Sequence, residues 1–168
     1  ELNPDALIRG GWLRRGGVAL LVSSTGSGKS VAATQICECW AAGRDWLGIE
    51  PVRPLRLSVY QFEDDITEVG EFRRDVRLGL AADGWDERTR MDAESSIIYH
   101  DATGLCGDTF LDYLAFAQRS DKADIILINP LWACAGCDLL RNDQAAHFLR
   151  ERLEPILKDP NAPCGCLI

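Results

Sequence analysis

Apolar residues along this chain fall into short continuous runs that alternate with stretches at helical spacing. Val18, Ala19, Leu20, Leu21 and Val22 follow Gly16-Gly17 without a polar break, which predicts a first strand buried on both faces. Residues 23–30 form a loop of small side chains. Beyond it Val31, Ala32, Gln35, Ile36 and Trp40 recur at helical intervals until Gly43 stops the helix. Residues 55–62 alternate apolar and polar side chains and then turn aromatic, which predicts a second strand nearer the sheet edge. Asp64 or Asp65 is placed to cap a helix running to about Leu80, and the polar residues 83–94 read as a surface connection with room for a helical turn. Residues 96–99 make a short third strand. In 108–119, Phe110, Leu111, Leu114 and Ala117 mark the inner face of an amphipathic helix. Residues 125–128 are a central buried strand, 130–142 a loop, 143–157 a helix kinked or ended near Pro155, and 164–168 the start of another strand. Strands alternating with helices predict an α/β fold: a three-layer sandwich around a mainly parallel, doubly wound sheet.

Composition narrows the picture. With 168 residues, 46% of them hydrophobic, residues 1–168 are expected to form one domain around one core. No apolar run reaches the roughly 20 residues of a membrane span. The chain opens at Glu1 without a signal-like leader, so it reads as a trimmed soluble chain. Eighteen basic against 26 acidic residues give a net charge of −8, opposite to the basic footprint of a protein that grips nucleic acid by electrostatics alone, so any DNA contact must be local. Seven cysteines, an odd number in a chain with ample core, are expected to be thiols in a reducing cytosol.

The loop after the first strand carries the most specific chemistry. Ser23-Ser24-Thr25-Gly26-Ser27-Gly28-Lys29-Ser30 ends in Gly-Lys-Ser between a strand and a helix, the context a phosphate-binding P-loop requires. Gly26 and Gly28 allow backbone angles that turn N–H groups inward around an anion, and the helix beginning near Lys29 adds its positive end. Lys29 is placed to reach the β- and γ-phosphates of a nucleoside triphosphate, and the Ser30 hydroxyl to bind Mg²⁺. Ser24, Thr25, Gly26, Ser27, Gly28, Lys29, Ser30 and Val31 are the expected nucleotide-binding residues, and ATP with Mg²⁺ the expected ligand. Ser23 stands where such loops usually have their first Gly.

Ligands of open α/β sheets sit beyond the carboxyl ends of the strands. Glu63, after the second strand, is the candidate base that orients or deprotonates the attacking water, with helix capping as the bland alternative for it and, more strongly, for Asp65. Asn129 ends the strand 125–128, where a Walker B motif would place an Asp on the metal-bound water. An amide carries no charge, so Asp64 is expected to contribute to the metal site beside Ser30 and Asn129. The competing role for Asn129 is a turn before Pro130.

Arg15-Gly16-Gly17, the Ser24 to Ser30 loop, Gln61-Phe62-Glu63-Asp64-Asp65, Ile128-Asn129-Pro130-Leu131 and Ala135-Gly136-Cys137-Asp138 together resemble the RecA-like ATPases of the plasmid RepA type, relatives of the DnaB-class replicative helicases. The last segments also resemble phage and prophage members of this group, in which the metal-site Asp is not always kept. The resemblance extends over nearly the whole chain. It implies a cytoplasmic, bacterial or phage-encoded, DNA-dependent ATPase that assembles as a ring, typically a hexamer, with nucleotide between subunits, single-stranded DNA as partner and Glu63 as base. In that family a polar phosphate sensor and an arginine finger follow the strand in which this chain stops. The resemblance therefore also implies a core incomplete at its C-terminus that binds nucleotide and turns it over below about 1 s⁻¹.

Other features have plainer readings beside functional ones. Cys134 and Cys137 have the spacing of a metal or redox pair, but Cys164 and Cys166 do not complete it, and buried thiols are the expected outcome. His147 is expected to pack or face solvent. His100 and Asp101 lie on the ligand side of the sheet with no assigned role. Trp132 and Arg141 are candidates for single-stranded DNA contact, against a hydrophobic loop that covers the sheet or joins subunits. A regulatory or recombinase-like ATPase and a non-hydrolysing nucleotide-binding scaffold remain alternatives to a helicase motor. A small-molecule kinase fits less well, lacking an Arg-rich lid, and no Asn-Lys-x-Asp motif supports a GTPase.

Overall fold

Each strand but the last is followed by a helix that returns the chain to the same end of the sheet, so the described strands all pair in parallel. The computed structural model describes residues 3–24, 26–63 and 66–168. In chain order the elements are β1 (Val18–Ala19), α1 (Lys29–Ala41), β2 (Leu57–Gln61), α2 (Ile66–Ala82), α3 (Glu87–Ser95) and β3 (Ile97–Asp101). Then come α4 (Gly107–Asp121), β4 (Ile125–Asn129), α5 (Leu131–Cys134), α6 (Asn142–Ala146), a π-helical segment (His147–Leu153), α7 (Glu154–Leu157) and β5 (Gly165–Leu167). The five strands lie in the order β1-β5-β4-β2-β3, all parallel.

The period-two alternation of strand side chains divides the interior into two cores, one on each face of the sheet. Leu57, Val59, Ile125, Leu127 and Leu167 point to one face, where Ile36 and Trp40 of α1 and Val76 and Leu80 of α2 cover them. Tyr60, Ile126, Ile128 and Cys166 point to the other, against Phe110 and Leu114 of α4 and Phe148, Leu153 and Leu157 of the C-terminal helical run. Burying each large apolar side chain contributes on the order of 1.5–3 kcal/mol, so both layers are held chiefly by this contact. The three-layer α/β sandwich expected from the sequence is the observed fold.

Four local expectations are corrected. The apolar run 18–22 is not a strand buried on both faces. β1 pairs only with β5 among the described residues, Leu20 is 63% and Val22 83% exposed, and the ladder continues past Ala19 through Leu21 N–H to Ile168 O. Conversely, β2 stands one place in from the edge strand β3 and, lying between β4 and β3, is paired and buried rather than half-exposed. Its polar Ser58 is buried because its hydroxyl donates to Asp121 Oδ2 at 2.8 Å, a partner that makes burial tolerable. The connection 83–94 contains a full helix, α3, whose N-cap Asp86 accepts from Thr89 N–H at 2.8 Å. The loop 130–142 begins with the short helix α5. The helix expected over 143–157 forms, and of the two outcomes expected near Pro155 it does not end there but widens into a π segment just before the proline.

Polar links tie the layers together. Asp124, mostly buried at the start of β4, accepts from Arg15 at 2.6 Å, from Arg53 at 2.7 Å and from the Arg56 amide at 3.1 Å. Burial pushes its carboxyl up, but Arg53, the Arg56 amide and Arg15 more than offset this and hold it below the ordinary carboxylate value. His100 sits between Tyr113 OH (3.0 Å) and Asp121 Oδ2 (2.7 Å), its ring stacked on Tyr60 at 4.5 Å. Among the described residues no helix is long and apolar enough to cross a membrane.

Candidate functional site

The loop between β1 and α1 is shaped by backbone conformation. Gly28 takes φ 84°, ψ 20°, and α1 starts at the next residue. Gly26 is left-handed as well, at φ 77°. Nothing lies within 4 Å of where a Cβ would stand at either position, so glycine is required there for its angles and not for space. Because the cap residue has no side chain, the N–H groups of the first turn of α1, which have no partner within a helix, stay open to the loop. Ala32 N–H closes the first helical bond on Gly28 O at 2.9 Å, and Thr34 Oγ donates to Ser30 O at 2.9 Å.

This loop forms one wall of a cleft of about 590 Å³, within the range of small-molecule sites. Ser23, Ser24, Gly26, Gly28, Lys29, Ser30 and Val31 line that wall. Opposite stand Glu63 after β2, Phe72 on α2, Asn129 at the end of β4 and Trp132 on α5. Glu63 is exposed toward solvent, whereas Asn129 is buried. The Asn129 amide donates to Gln61 Oε1 at 3.2 Å and makes a longer contact of 3.4 Å with Ser30 Oγ. Gln61 and Asn129 face each other in the β2–β4 register, so two strand ends and the loop after β1 meet at Ser30.

Of the residues singled out from the sequence, the structure therefore gathers Ser24, Gly26, Gly28, Lys29, Ser30, Val31, Glu63 and Asn129 around one cleft. Ser27 does not line it; its N–H closes the loop's turn on Ser24 O at 3.3 Å. Thr25 and Asp64 lie outside the described residues, as does Asp65. His100 is engaged by Tyr113 and Asp121, away from the cleft, and Asp101 accepts from Thr103 N–H at 3.0 Å. His147 faces Glu151 at 3.0 Å on the surface, and Arg141 pairs with Asp143 at 3.1 Å. Cys134, Cys164 and Cys166 belong to the core beneath α4, where burial pushes the first two thiols up to about 12.

Sequence reasoning missed three members of the site. Phe72 carries no signal in the sequence beyond an apolar residue within a helix, and Gln61 entered only as part of the segment 61–65 that carries the resemblance, with no role of its own. Trp132 was a candidate either for single-stranded DNA contact or for a hydrophobic loop that covers the sheet or joins subunits, whereas its side chain, 66% exposed, borders the cleft. Its position right after the strand end at Asn129 was the available signal, since ligands gather where strands end.

Chemically, the arrangement offers open backbone N–H groups and an ammonium for an anion, a hydroxyl and an amide for a hydrated cation, and a carboxylate in the lining of the same cleft. A family model described as an AAA domain matches residues 2–154 of the chain. Compared with curated proteins, the chain matches none.

Proposed function

The chain belongs to the AAA domain family, and on that premise we propose that it is an ATP-binding and ATP-hydrolysing RecA-like motor domain of a DNA helicase that serves plasmid or phage replication. The observation that carries this reading is the left-handed Gly28 opening α1 so that Lys29 and Ser30 face a cleft also lined by Glu63. Residues 24–31 cradle the phosphates through backbone N–H groups, and Lys29 neutralises the β- and γ-phosphates. Phe72 and Trp132, the two aromatic rings of the cleft, offer stacking surface for the base. Glu63 accepts a proton from the water that attacks the γ-phosphate.

The donor set fits Mg²⁺, which retains several waters and takes few protein ligands beside substrate phosphates. Ser30 and Asn129, with Asp64, are the residues to hold it; for Asn129 this means turning its amide so that Oδ1 faces Ser30, at the expense of the bond to Gln61. When bound, the ion neutralises phosphate charge as it grows during transfer. Single-stranded DNA and further copies of the chain, assembled as a hexameric ring with nucleotide between subunits, complete this reading. Glu63, exposed in the isolated chain, suits a site that a neighbouring subunit closes.

Calorimetric titration with ATP, with and without Mg²⁺, tests the assignment. Lys29→Ala is expected to weaken ATP binding by more than about tenfold. Glu63→Gln is expected to leave binding intact and lower turnover by about 10²-fold or more. Unchanged ATP affinity in Lys29→Ala would sink the reading.

A further inference from the structure

On α2, Gly70, Arg73, Arg74 and Arg77 recur at helical spacing and face α3, which contributes Arg90 and Glu94 across a cleft of about 400 Å³. This cleft shares no lining residue with the one beside Lys29. In a chain of net charge −8, four guanidiniums converging on one concavity stand against the overall balance.

Carboxylates satisfy only part of this cluster. Arg77 pairs with Glu38 at 3.0 Å and Glu94 at 2.7 Å, and Arg73 reaches Glu94 at 3.5 Å while stacking over Tyr99 at 4.3 Å. Arg74 pairs with Asp75 on the exposed side at 3.2 Å. Arg90 has no ion pair among the described residues. Three donors, Arg73 Nε, Arg77 Nη2 and Arg90 Nε, are buried with no hydrogen-bond acceptor among the described residues. Buried N–H groups of charged side chains are costly to leave unpaired, and three in one cluster mark guanidiniums that their own carboxylates do not saturate, while the rest of each side chain lines the cleft. Planar guanidiniums with several donors suit the tetrahedral oxygens of phosphate, to which they bind in forked pairs. Gly70 presents no side chain at the cleft, and a Cβ there would meet nothing within 4 Å, so access on that side is open.

We propose that the α2–α3 cleft is a second anion site that binds a phosphate group, supplied either by a nucleic-acid backbone or by a small phosphorylated molecule, through Arg73, Arg77 and Arg90 with Arg74 at its rim. The site stands independently of the assignments at Lys29.

The test uses the full chain carrying Lys29→Ala, so that the loop after β1 does not compete for phosphate, with nitrogen-15 label in its arginines. Inorganic phosphate and an oligothymidylate of about fifteen nucleotides are the two probes. The Arg73 and Arg90 Nε–H resonances are expected to shift saturably with at least one of them. Arg90→Gln, which breaks no ion pair, and Arg74→Gln, at the rim, are expected to weaken that probe about tenfold without lowering the melting temperature. If the oligonucleotide is the tighter probe, each variant also lowers the slope of log K against log salt by about 0.7, which assigns the phosphate to a nucleic-acid backbone. Saturable binding of inorganic phosphate alone assigns it to a small molecule. Resonances that move with neither probe, or variants that bind both as the parent does, overturn the proposal. Shifts that follow only protein concentration overturn it too, because carboxylates of a second copy would then fill the cleft.

Discussion

Asp124 shows how much a single buried carboxylate can hold in place. It gathers Arg15, Arg53 and the Arg56 amide, and so pins the segment before β1 and the loop before β2 to the start of β4. Its carboxyl loses its proton more readily folded than unfolded, because its pKa is depressed below the ordinary 3.8. The stabilisation is therefore fully present above the ordinary value and is lost as pH falls through the lower folded one. Asp124→Asn is expected to cost at least about 2 kcal/mol at neutral pH and to flatten the acid limb of stability below about pH 4, measured by urea unfolding across pH. At this scale the sequence was legible where chemistry and spacing coincide. Lys29, Ser30 and Glu63 stand at fixed places relative to strand ends, and Asn129 ends a strand whose apolar run is unmistakable. Phe72, Gln61 and Trp132 were not legible as site residues, because an aromatic on a helix or a Gln at a strand end is ordinary until the strand order brings it to the cleft.

Among the elements, apolar runs located the strands, but their neighbours were harder to read. A continuous apolar run looks the same whether helices cover one face or two, which is why β1 read as buried on both faces although Val18, Leu20 and Val22 are exposed on one of them. Ser58 made β2 look half-exposed because its partner Asp121 comes from α4, far along the chain. Where α3 forms, no more than a helical turn was expected, since its sequence is polar on nearly every side; it forms with Asp86 as cap and Ala93 as its buried contact. The π segment has a local cause. Pro155 has no N–H, and its ring would strike the Glu151 carbonyl in a regular α-helix, so the widened turns between His147 and Leu153 relieve the clash. Pro155→Ala is expected to stabilise the chain by less than the roughly 3 kcal/mol a proline costs inside a helix, and to return the run to α geometry. A thermal melt and Cα chemical shifts across 147–153 would register both changes, and an unaltered pattern of shifts would show that proline is not the cause.

At the scale of the whole molecule, the alternation of strand and helix was enough for the layered α/β class, but not for the order of the strands. Insertion of β5 between β1 and β4 depends on pairings that no local pattern encodes. That order also decides where the cleft lies. Its wall at Lys29 and Ser30 starts α1, which packs in the core on one face of the sheet, while Trp132 lies on α5, whose Cys134 is buried in the core on the other face. A molecule seated there touches both layers, so it acts as a rivet through the sandwich and not as a guest of one loop. Amide hydrogen exchange should then slow on ATP binding in α5 as well as in α1, although α5 contributes nothing to the phosphate loop. Protection confined to α1 would mean that the two layers breathe separately, and that the cleft is a surface attached to one of them.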